Sequence, residues 1–387
     1  MGPNASAAPF VDLVTIEIGK EQSLAPAARR SLFIFVDGDL PIGQQWVEAG
    51  GTPVIPERPS TRANAVSGGG APSLSATLVI CTRDRPAELE RCLGSIALQS
   101  TPPAEVIVVD NASRSEETRS VATAAGARYI REDRPGLDFA RNAGARAAAG
   151  DIVVYTDDDT ELHPKWIENI LAAFDRDDVV AVTGLVLPAR LATEAQWLFE
   201  SEWSFGRGYE RIDYGPQCYR STRAAGCPAW IVGAGANMAF RRSIFDRIGY
   251  FDERLDVGAA GCSGDSEYWY RILAAGFTCR YEPTAVVWHH HRLEIPALSS
   301  QIYHYMRGHT AALMVQFERT GDWGNLRRAF VSMPLFYARR FLGRLVRGAA
   351  PSNRFLGEQV RGAIAGIFFY LRTPRPNYRP PERETAR

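Results

Sequence analysis

Three consecutive carboxylates, Asp157, Asp158 and Asp159, carry the strongest chemical signal in this sequence. They follow Asp151-Ile-Val-Val, a run typical of a buried strand, and precede a helix-like segment at 165–174. Adjacent carboxylates at a strand end repel one another, so the pattern predicts a positively charged partner. A divalent cation such as Mg²⁺ or Mn²⁺ prefers oxygen ligands and commonly binds together with substrate phosphates. A solvated acidic turn or helix N-cap is the structural alternative, because Asp is favoured there as well.

Further polar residues follow strands predicted earlier in the chain. Thr82, Arg83 and Asp84 come after the first strand of an alternating strand–helix pattern, and Asp110 comes after the second. In open α/β sheets, ligands bind beyond the carboxyl ends of the strands. The sequence therefore places these residues and the three carboxylates at one edge of the same sheet. An Asp that only forms a turn is the alternative at positions 84 and 110.

Alternating strands and helices must position these residues. Apolar runs predict strands, and apolar residues at helical spacing predict the helices between them. The predicted strands are 77–81, 106–109, 128–131 and 152–156, and the predicted helices are 86–99, 116–125 and 137–149. Repeated units of this kind predict an α/β fold with a doubly wound, mostly parallel sheet.

The chain divides into five predicted segments. They are a small β-rich module at 1–56, a flexible linker at 57–74, an α/β domain at 75–295, C-terminal helices at 296–372 and a disordered tail at 373–387. In the first segment, two strand-like runs and the turn Asp37-Gly38-Asp39 predict a β-hairpin. Three consecutive glycines mark the linker, and Pro with charged residues marks the tail.

Charge and cysteine content narrow the function classes. The net charge is zero, which argues against nucleic-acid binding, but residues 326–387 hold 13 Arg and 3 Glu. The six cysteines form no Cys-x-x-Cys pair, which favours a reduced compartment. A Cys218–Cys227 disulfide and a metal site using Cys262 are the alternatives. The sequence also predicts neither a secretory signal nor a membrane-spanning helix.

Several motifs then follow one another in a specific order. They are Val79-Ile-Cys-Thr-Arg-Asp-Arg-Pro86, Val108-Val-Asp110-Asn-Ala-Ser113, Ala140-Arg-Asn-Ala-Gly144, Thr156 to Asp159, Gly235 to Arg242, Gly249 to Glu253, Gly264 to Arg271, Ala275 to Phe277 and Tyr281 to His289. Over roughly residues 75–292 this series resembles the family 2 glycosyltransferases. The resemblance implies a GT-A fold and transfer of a sugar, with inversion, from a nucleotide diphosphate donor such as a UDP-sugar.

The resemblance also assigns roles to individual residues. It implies Asp159 and His289 as ligands of Mg²⁺ or Mn²⁺ and Asp265 as the catalytic base. The implied donor-binding residues are Thr82, Arg83, Asp84, Asp110, Arg141, Asp157 and Asp158. A surface helix position is the alternative for Arg141, and a polar strand end is the alternative for His289.

Residues near Asp265 depart from the family pattern. The family commonly has Glu-Asp at this point, whereas Gly264 precedes Asp265 here. The base is retained, while the contacts that the missing Glu makes to the acceptor are in doubt. Glu267 is a second candidate for the base, and a helix-capping role is the alternative for Asp265.

The leading hypothesis is therefore a metal-dependent glycosyltransferase that is cytoplasmic and peripheral at the inner face of the plasma membrane. Its acceptor is predicted to be a lipid-linked or other glycan precursor in polysaccharide biosynthesis. Arg with Leu, Phe and Tyr at near-helical spacing in 330–371 suits an anionic membrane surface. Packing on the α/β domain or in a dimer is the alternative, and the sequence does not define the oligomeric state.

Two other functions compete with this hypothesis. A sugar-phosphate nucleotidyltransferase is disfavoured, because such enzymes resemble a Gly-rich loop with a catalytic Lys early in the chain. Here Lys165 is the only Lys after residue 20. A glycosyltransferase-like subunit that binds nucleotide sugars without turnover is the second rival, and Gly264 is the one feature in its favour.

Overall fold

The computed structural model describes residues 10–20, 26–57, 74–347 and 353–374. Most of the predicted linker at 57–74 and of the predicted tail at 373–387 lies outside these residues. All structural statements below concern the described part of the chain.

Three N-terminal strands form a small sheet of their own. They are β1 (Asp12–Glu17), β2 (Ser31–Asp37) and β3 (Leu40–Val47). β1 pairs with β2 in parallel, and β2 turns back through Gly38 into the antiparallel β3, as the hairpin prediction requires. Ile34 of this sheet packs against Leu185 and Tyr281 of the main domain. The N-terminal sheet is therefore docked on the main domain through apolar contacts.

Nine further strands form the main sheet. They are β4 (Ala76–Thr82), β5 (Glu105–Asn111), β6 (Arg128–Glu132), β7 (Ile152–Asp157), β8 (Thr160–Leu162), β9 (Val179–Pro188), β10 (Ile212–Tyr214), β11 (Asn237–Arg241) and β12 (Thr278–His289). Their order is β10-β12-β9-β11-β7-β4-β5-β6, and β8 pairs with β12. The predicted βα region, β4 to β7, is parallel throughout. The antiparallel β11 between β7 and β9 makes the complete sheet mixed.

Twelve α-helices accompany the sheets in the described residues. They are α1 (Pro86–Ile96), α2 (Glu117–Ala124), α3 (Leu137–Ala147), α4 (Trp166–Ala172), α5 (Glu194–Trp203), α6 (Pro216–Thr222), α7 (Ser243–Ile248), α8 (Gly264–Ala274), α9 (Ile295–Thr320), α10 (Trp323–Arg327), α11 (Met333–Arg347) and α12 (Leu356–Arg372). A π-helical turn, Arg328–Ser332, joins α10 to α11. The fold is a mixed α/β domain with a helical C-terminal segment.

The sequence explains why the central strands and helices pack so closely. β4 and β7 are almost continuously apolar, as expected of strands covered on both faces. α3 lies directly on this sheet at Gly144, where a Cβ atom would come within 2.3 Å of Val79. A residue without a side chain is therefore required there. This close approach fixes the position of Arg141 one turn earlier in the same helix.

The C-terminal helices are only partly covered. α12 packs along α9, where the Tyr370 hydroxyl donates a hydrogen bond of 2.7 Å to Glu318. In contrast, Phe341 and Leu342 of α11 expose 56% and 60% of their surface. None of the described helices combines the length and the continuous apolar character that crossing a bilayer requires.

The six cysteines are all unpaired. The predicted alternative of a Cys218–Cys227 disulfide is therefore wrong; Cys218 lies within α6 and Cys227 follows that helix. Cys262 is not part of the clustered His and carboxylate ligands among the described residues. The cysteines act as small packing residues, and burial raises the pKa of Cys92 to about 12.

Candidate active site

A cavity of about 1610 Å³ opens at the carboxyl ends of β4 and β7. Its lining includes eight of the ten residues that the sequence predicts for the site: Thr82, Arg83, Arg141, Asp157, Asp158, Asp159, Asp265 and His289. They come from five elements, namely β4, α3, β7, α8 and β12, or from the turns that follow them. The fold thus brings together side chains that are more than 200 positions apart in sequence.

The acidic run is held from one side by Arg85. Its guanidinium donates from Nη1 to Asp158 at 2.5 Å and from Nη2 to Asp159 at 3.0 Å. Asp158 also accepts a hydrogen bond of 2.7 Å from the Thr82 hydroxyl. Arg85 stands at the turn between β4 and α1, directly before Pro86, and is not among the residues predicted for the site. Its position beside the predicted Arg83 and Asp84 is the signal that could have identified it.

Asp157, Asp159 and His289 form a cluster suited to a divalent cation. One ligand atom from each residue lies within 4.8 Å of the others, and Asp159 Oδ1 is 3.2 Å from His289 Nε2. Two carboxylates and one imidazole can share a cation such as Mn²⁺ or Mg²⁺, with substrate phosphates completing its coordination. The residues therefore fit the metal that the acidic run predicts.

The electrostatics of the cluster agree with this fit. Burial and the neighbouring charge of Asp159 raise the pKa of Asp157 to about 6. Burial also raises the pKa of Asp158, against the opposing influence of Arg85. Although burial opposes it, the charges of His289 and Arg85 hold the pKa of Asp159 well below its usual range. A bound cation offsets the electrostatic repulsion between neighbouring carboxylates of this kind.

A chain of hydrogen bonds orients His289 from behind. Its Nδ1 lies 2.9 Å from His291 Nδ1, and His291 Nε2 lies 2.9 Å from the carboxylate of Glu200. If His289 presents Nε2 as a lone-pair donor, its Nδ1 carries the proton that it donates to His291. His291 then carries its own proton on Nε2 and donates it to Glu200. This arrangement fixes the tautomer that a metal ligand needs.

Asp265 reaches the same cavity from the first turn of α8. Its Oδ1 accepts a hydrogen bond of 2.6 Å from the backbone N–H of Ser266, while Oδ2 lies 3.0 Å from where a Cβ atom on Gly235 would be. Burial and the nearby Asp256 raise the pKa of Asp265, and Arg141 opposes the shift. A raised pKa makes a carboxylate a better proton acceptor.

Glu267, the second candidate for the base, lies elsewhere. Its side chain is fully buried and accepts a hydrogen bond of 2.9 Å from Arg271. Arg319 approaches the same carboxylate to 3.4 Å. Glu267 does not line the cavity, so its visible role is to join α8 to α9.

The space beside Gly264 is taken by another carboxylate. A Cβ atom on Gly264 would lie 2.0 Å from Oδ2 of Asp138. Asp138 belongs to α3 and is buried, and its Oδ2 has no hydrogen-bond partner among the described residues. Burial and the charge of Asp256 raise the pKa of Asp138 well above its usual range. A carboxyl group therefore remains next to Asp265, supplied by α3 instead of residue 264.

Arg141 joins these carboxylates. Its Nη1 lies 3.0 Å from Asp138 Oδ1 and 2.6 Å from Asp256 Oδ2. The guanidinium is buried, and a Cβ atom on Gly235 would lie 2.7 Å from its Nη2 and 3.0 Å from Oδ2 of Asp265. Arg141 is thus the counter-charge of Asp138 and Asp256 rather than a surface side chain.

Asp84 and Asp110 do not line the cavity. Asp84 accepts hydrogen bonds of 2.7 Å from the backbone N–H of Arg114 and 3.0 Å from its Nε. Asp110 is fully buried and accepts hydrogen bonds from Tyr129 at 2.8 Å and Arg131 at 3.1 Å. The structure places both at strand ends, as the sequence predicts, but their carboxylates are occupied by protein partners. Their donor-binding role stays a prediction.

A comparison with protein-family models matches residues 77–249 to glycosyl transferase family 2. Residues 77–249 are a family 2 glycosyltransferase domain. The acidic cluster lies inside this matched region, whereas Asp265 and His289 follow it in the chain.

Curated relatives of the glycosyltransferase domain include enzymes with different acceptors. Glucosyl-dolichyl phosphate glucuronosyltransferase of Haloferax volcanii is 25% identical over 187 residues, which cover 46% of this chain and 56% of that protein. Polypeptide N-acetylgalactosaminyltransferase 6 of Bos taurus is 27% identical over 252 residues, covering 58% of this chain and 39% of the relative. This chain thus spans about half or less of the length of these relatives.

The solved structures support the GT-A fold. The mannosyltransferase PcManGT from Pyrobaculum calidifontis, in complex with GDP-Man and Mn²⁺, superimposes with a TM-score of 0.50. The match covers 77% of this chain and 87% of that chain at 18% identity. At this identity the likeness concerns the fold alone.

Several residues of the glycosyltransferase site were missed by sequence reasoning. They are Arg85, Asp138 and Asp256, each in direct contact with a predicted site residue, and Glu200, which contacts His289 through His291. Asp138 has a visible signal, because it lies three residues before Arg141 on α3 and so shares its helix face. Glu200 and Asp256 have none, since their partners are 91 and 115 positions away.

Proposed function

We propose that this chain is a metal-dependent, inverting glycosyltransferase that moves a sugar from a nucleotide diphosphate donor to an acceptor hydroxyl. The observation that carries the proposal is one cavity lined by both the Asp157–Asp159–His289 cluster and the carboxylate of Asp265. The first group suits the diphosphate of a donor, and the second suits deprotonation of an acceptor. A UDP-sugar is the proposed donor.

The acceptor side of the reaction depends on Asp265. The acceptor hydroxyl oxygen attacks the anomeric carbon of the donor sugar, and its proton passes to Asp265. The bond between that carbon and the phosphate oxygen breaks, and its electron pair leaves with the nucleoside diphosphate. Attack opposite the leaving group inverts the configuration. Ser266 holds one oxygen of Asp265, so the other is directed toward the cavity.

The donor side depends on charge stabilisation. A metal held by Asp157, Asp159 and His289 would act as a Lewis acid on the departing diphosphate. Arg85 contacts Asp158 and Asp159 at this end of the cavity, which suits a second positive group for the same phosphates. Thr82 and Arg83 line the adjoining wall, and we assign both to donor binding.

Binding and release of the nucleotide test this function. Nucleotide sugars should raise the melting temperature of the chain only when Mn²⁺ or Mg²⁺ is present, because a bound ligand stabilises the folded state by mass action. Asp159→Asn should abolish the shift without unfolding the protein. Adding an acceptor extract should then release nucleoside diphosphate. An equal shift in excess chelator would contradict the metal dependence.

A nucleotide-sugar-binding subunit without turnover is the second candidate, and Gly264 is the observation in its favour. This candidate predicts a donor-dependent melting shift with no release of nucleoside diphosphate. Asp265 at the cavity and the carboxyl group of Asp138 beside it favour turnover instead.

The acceptor and the location of the reaction are linked in our proposal. The name of the Haloferax relative, a glucosyl-dolichyl phosphate glucuronosyltransferase, supports a lipid-linked acceptor, although a soluble glycan precursor is the alternative. We assign residues 75–295 to catalysis and residues 296–372 to docking at the inner face of the plasma membrane. Residues 1–56 form a separate accessory module in this scheme.

Exposed apolar residues on α11 and α12 support the membrane assignment. Phe336, Phe341 and Leu342 of α11 are each at least half exposed, as are Ile364 and Phe368 of α12. Helices of this composition, interspersed with Arg, suit the interface of an anionic bilayer. Each Arg near such a surface contributes on the order of 1 kcal/mol, which salt screens.

The double variant Phe341→Glu/Leu342→Glu should therefore lose binding to anionic liposomes. The variant places two negative charges on the face that we assign to the bilayer. Burying an apolar side chain of this kind contributes about 2 kcal/mol to the free energy of binding, so the affinity for the liposomes should fall at least tenfold. Sedimentation with phosphatidylglycerol vesicles at low salt measures the effect. Leu98→Glu is the control, because Leu98 is 70% exposed but lies after α1. Equal sedimentation of the wild type, the double variant and Leu98→Glu would contradict the membrane assignment.

A further inference from the structure

The cavity continues beyond the reaction centre into the C-terminal segment. Its far end is lined by Trp230, His309, Arg328, Met333 and Phe336. These residues come from the turn after α6, from α9 and from the segment 328–347. The acidic cluster and this far end thus form one continuous space with opposite charge at its two ends.

Two guanidinium groups at the far end, Arg207 and Arg328, have no acidic partner in the part of the chain that the structure describes. Arg207 donates to the backbone carbonyls of Ser204 at 3.0 Å and Trp230 at 3.1 Å. Arg328 lies over the ring of Trp230, 4.0 Å from its centroid. No carboxylate of the described residues forms an ion pair with either group, and the Nε atoms of both are buried without a hydrogen-bond partner. Within the described structure neither guanidinium is therefore paired with a carboxylate, and the hydrogen bonds of Arg207 go to backbone carbonyls.

Uncompensated cations in a partly buried place are unfavourable unless a ligand neutralises them. Burial lowers the pKa of Arg207, and it also lowers the pKa of Arg328. The adjoining His309 adds no third charge, because burial and Arg328 lower its pKa to about 3. Arg207 lies at the carbonyl of Trp230 and Arg328 over its ring, and neither has a carboxylate partner in the described residues. The two guanidinium groups therefore offer a site for an anion, and phosphate oxygens match guanidinium geometry best.

The site is close to the proposed base. Arg207 also approaches the carbonyl of Gly233 at 3.5 Å, and Gly235, two residues later, adjoins Asp265. An anion at Arg207 thus lies within reach of a molecule whose hydroxyl is at Asp265. The donor diphosphate is assigned to the other end, where the metal ligands and Arg85 lie.

The surroundings of Arg328 are apolar on the outer side. Met333, Phe336 and Phe369 line the cavity there, and Phe336 is 50% exposed, so the wall continues into the apolar face of α11. A ligand bound at Arg328 can therefore extend along hydrocarbon side chains toward the surface. A ligand with a phosphate group followed by a hydrocarbon chain matches this order of a cationic site and then an apolar wall.

We propose that Arg207 and Arg328 bind the phosphate of the acceptor, and that this acceptor is a glycosyl phosphate ester with a hydrocarbon chain. The sugar hydroxyl of the acceptor then lies at Asp265, its phosphate at the two Arg residues, and its chain along Met333, Phe336 and Phe369. This assignment rests on the proposed glycosyltransferase function, but the anion site itself is defined by contacts outside the metal cluster.

Direct binding to the full chain tests the site without turnover. The probes are farnesyl phosphate, farnesol and glycerol phosphate, each titrated by calorimetry below its aggregation limit. The wild type should bind farnesyl phosphate most tightly. Arg328→Gln should weaken that affinity about tenfold and leave the farnesol affinity unchanged, because it removes one charged hydrogen-bond donor. Arg328→Lys keeps the charge and should recover part of the loss.

Arg327→Gln is the matched control, because Arg327 is the exposed neighbour on the same turn. Circular dichroism and melting curves of all variants establish that they are folded. Equal binding of farnesyl phosphate by wild type and Arg328→Gln would overturn the anion site. Equal affinity for farnesyl phosphate and glycerol phosphate would overturn the hydrocarbon part and leave a soluble phosphate ester as the ligand.

Binding of the nucleotide sugar shows whether the two Arg residues belong to the acceptor site or to the donor site. If Arg328→Gln weakens the nucleotide sugar and not farnesyl phosphate, the two Arg residues belong to the donor site and the proposal fails. If the wild type binds farnesyl phosphate but transfers no sugar from any donor, the proposed function fails while the anion site stands.

Discussion

Replacing Asp265 with Asn is expected to reduce the rate of sugar transfer by about 10³-fold, within the range that general base catalysis contributes. Donor affinity should change less than about twofold, because the role of the carboxylate is confined to the step in which the acceptor loses its proton. The measurement is kcat with a saturating donor, together with the melting shift that the donor produces. Since the pKa of Asp265 is raised, the wild-type rate should also fall on the acid side at a higher pH than an ordinary Asp would give.

Two further variants serve as comparisons for Asp265→Asn. Asp246→Asn removes an exposed carboxylate of α7 and should leave kcat unchanged. Glu267→Gln loosens the contact with Arg271 and Arg319, so it should lower the free energy of unfolding more than the rate. Wild-type kcat in Asp265→Asn combined with its loss in Glu267→Gln would move the base to residue 267.

Restoring the family's usual residue with Gly264→Glu is expected to damage the protein rather than improve it. The new Cβ atom would overlap the carboxyl group of Asp138, so α8 or α3 must shift. Overpacking of this kind costs about 1–3 kcal/mol, and a third buried carboxylate beside Asp138 and Asp256 adds to it. Urea denaturation should show the lower free energy of unfolding, and transfer should fall because Asp265 moves with the helix.

The double variant Asp138→Ala/Gly264→Glu tests whether steric overlap between residues 138 and 264 causes the loss of stability. Removing the Asp138 carboxyl group opens the space, so part of the lost stability should return. Gly94→Glu is the control, because Gly94 lies in α1 with nothing within 4 Å of an added Cβ atom. If Gly264→Glu is as stable as Gly94→Glu, the carboxyl group of Asp138 does not exclude a side chain at 264.

Much of the fold could be predicted from the sequence, because its signals are local. β4 to β7 and the helices between them each show an apolar pattern within a window of about ten residues, which suffices to identify a strand or an amphipathic helix. The acidic run at 157–159 was likewise readable, since its charge and its position at a strand end are adjacent in the chain. The pairing of Asp159 with His289 was not local, and only the order of family motifs indicated it.

The remaining contacts depend on how the helices approach the sheet. Nothing in the sequence around Gly264 indicates that α3 brings Asp138 against it, because the two residues are 126 positions apart and meet only through packing. Similarly, Asp110 was correctly placed at a strand end, but its bonds to Tyr129 and Arg131 of the next strand were not visible. Strand order decides such partners, and periodicity does not encode it.

The ion pairs of Arg85 with Asp158 and Asp159 have a thermodynamic consequence for ligand binding. A cation arriving at Asp159 competes with a guanidinium that already neutralises the same carboxylate, so the metal alone should bind weakly. A diphosphate that arrives with the metal offers the displaced guanidinium a new negative partner. Metal and nucleotide should therefore raise each other's affinity by the same factor, as linkage requires. A single arginine would in this way make the two ligands enter as a pair.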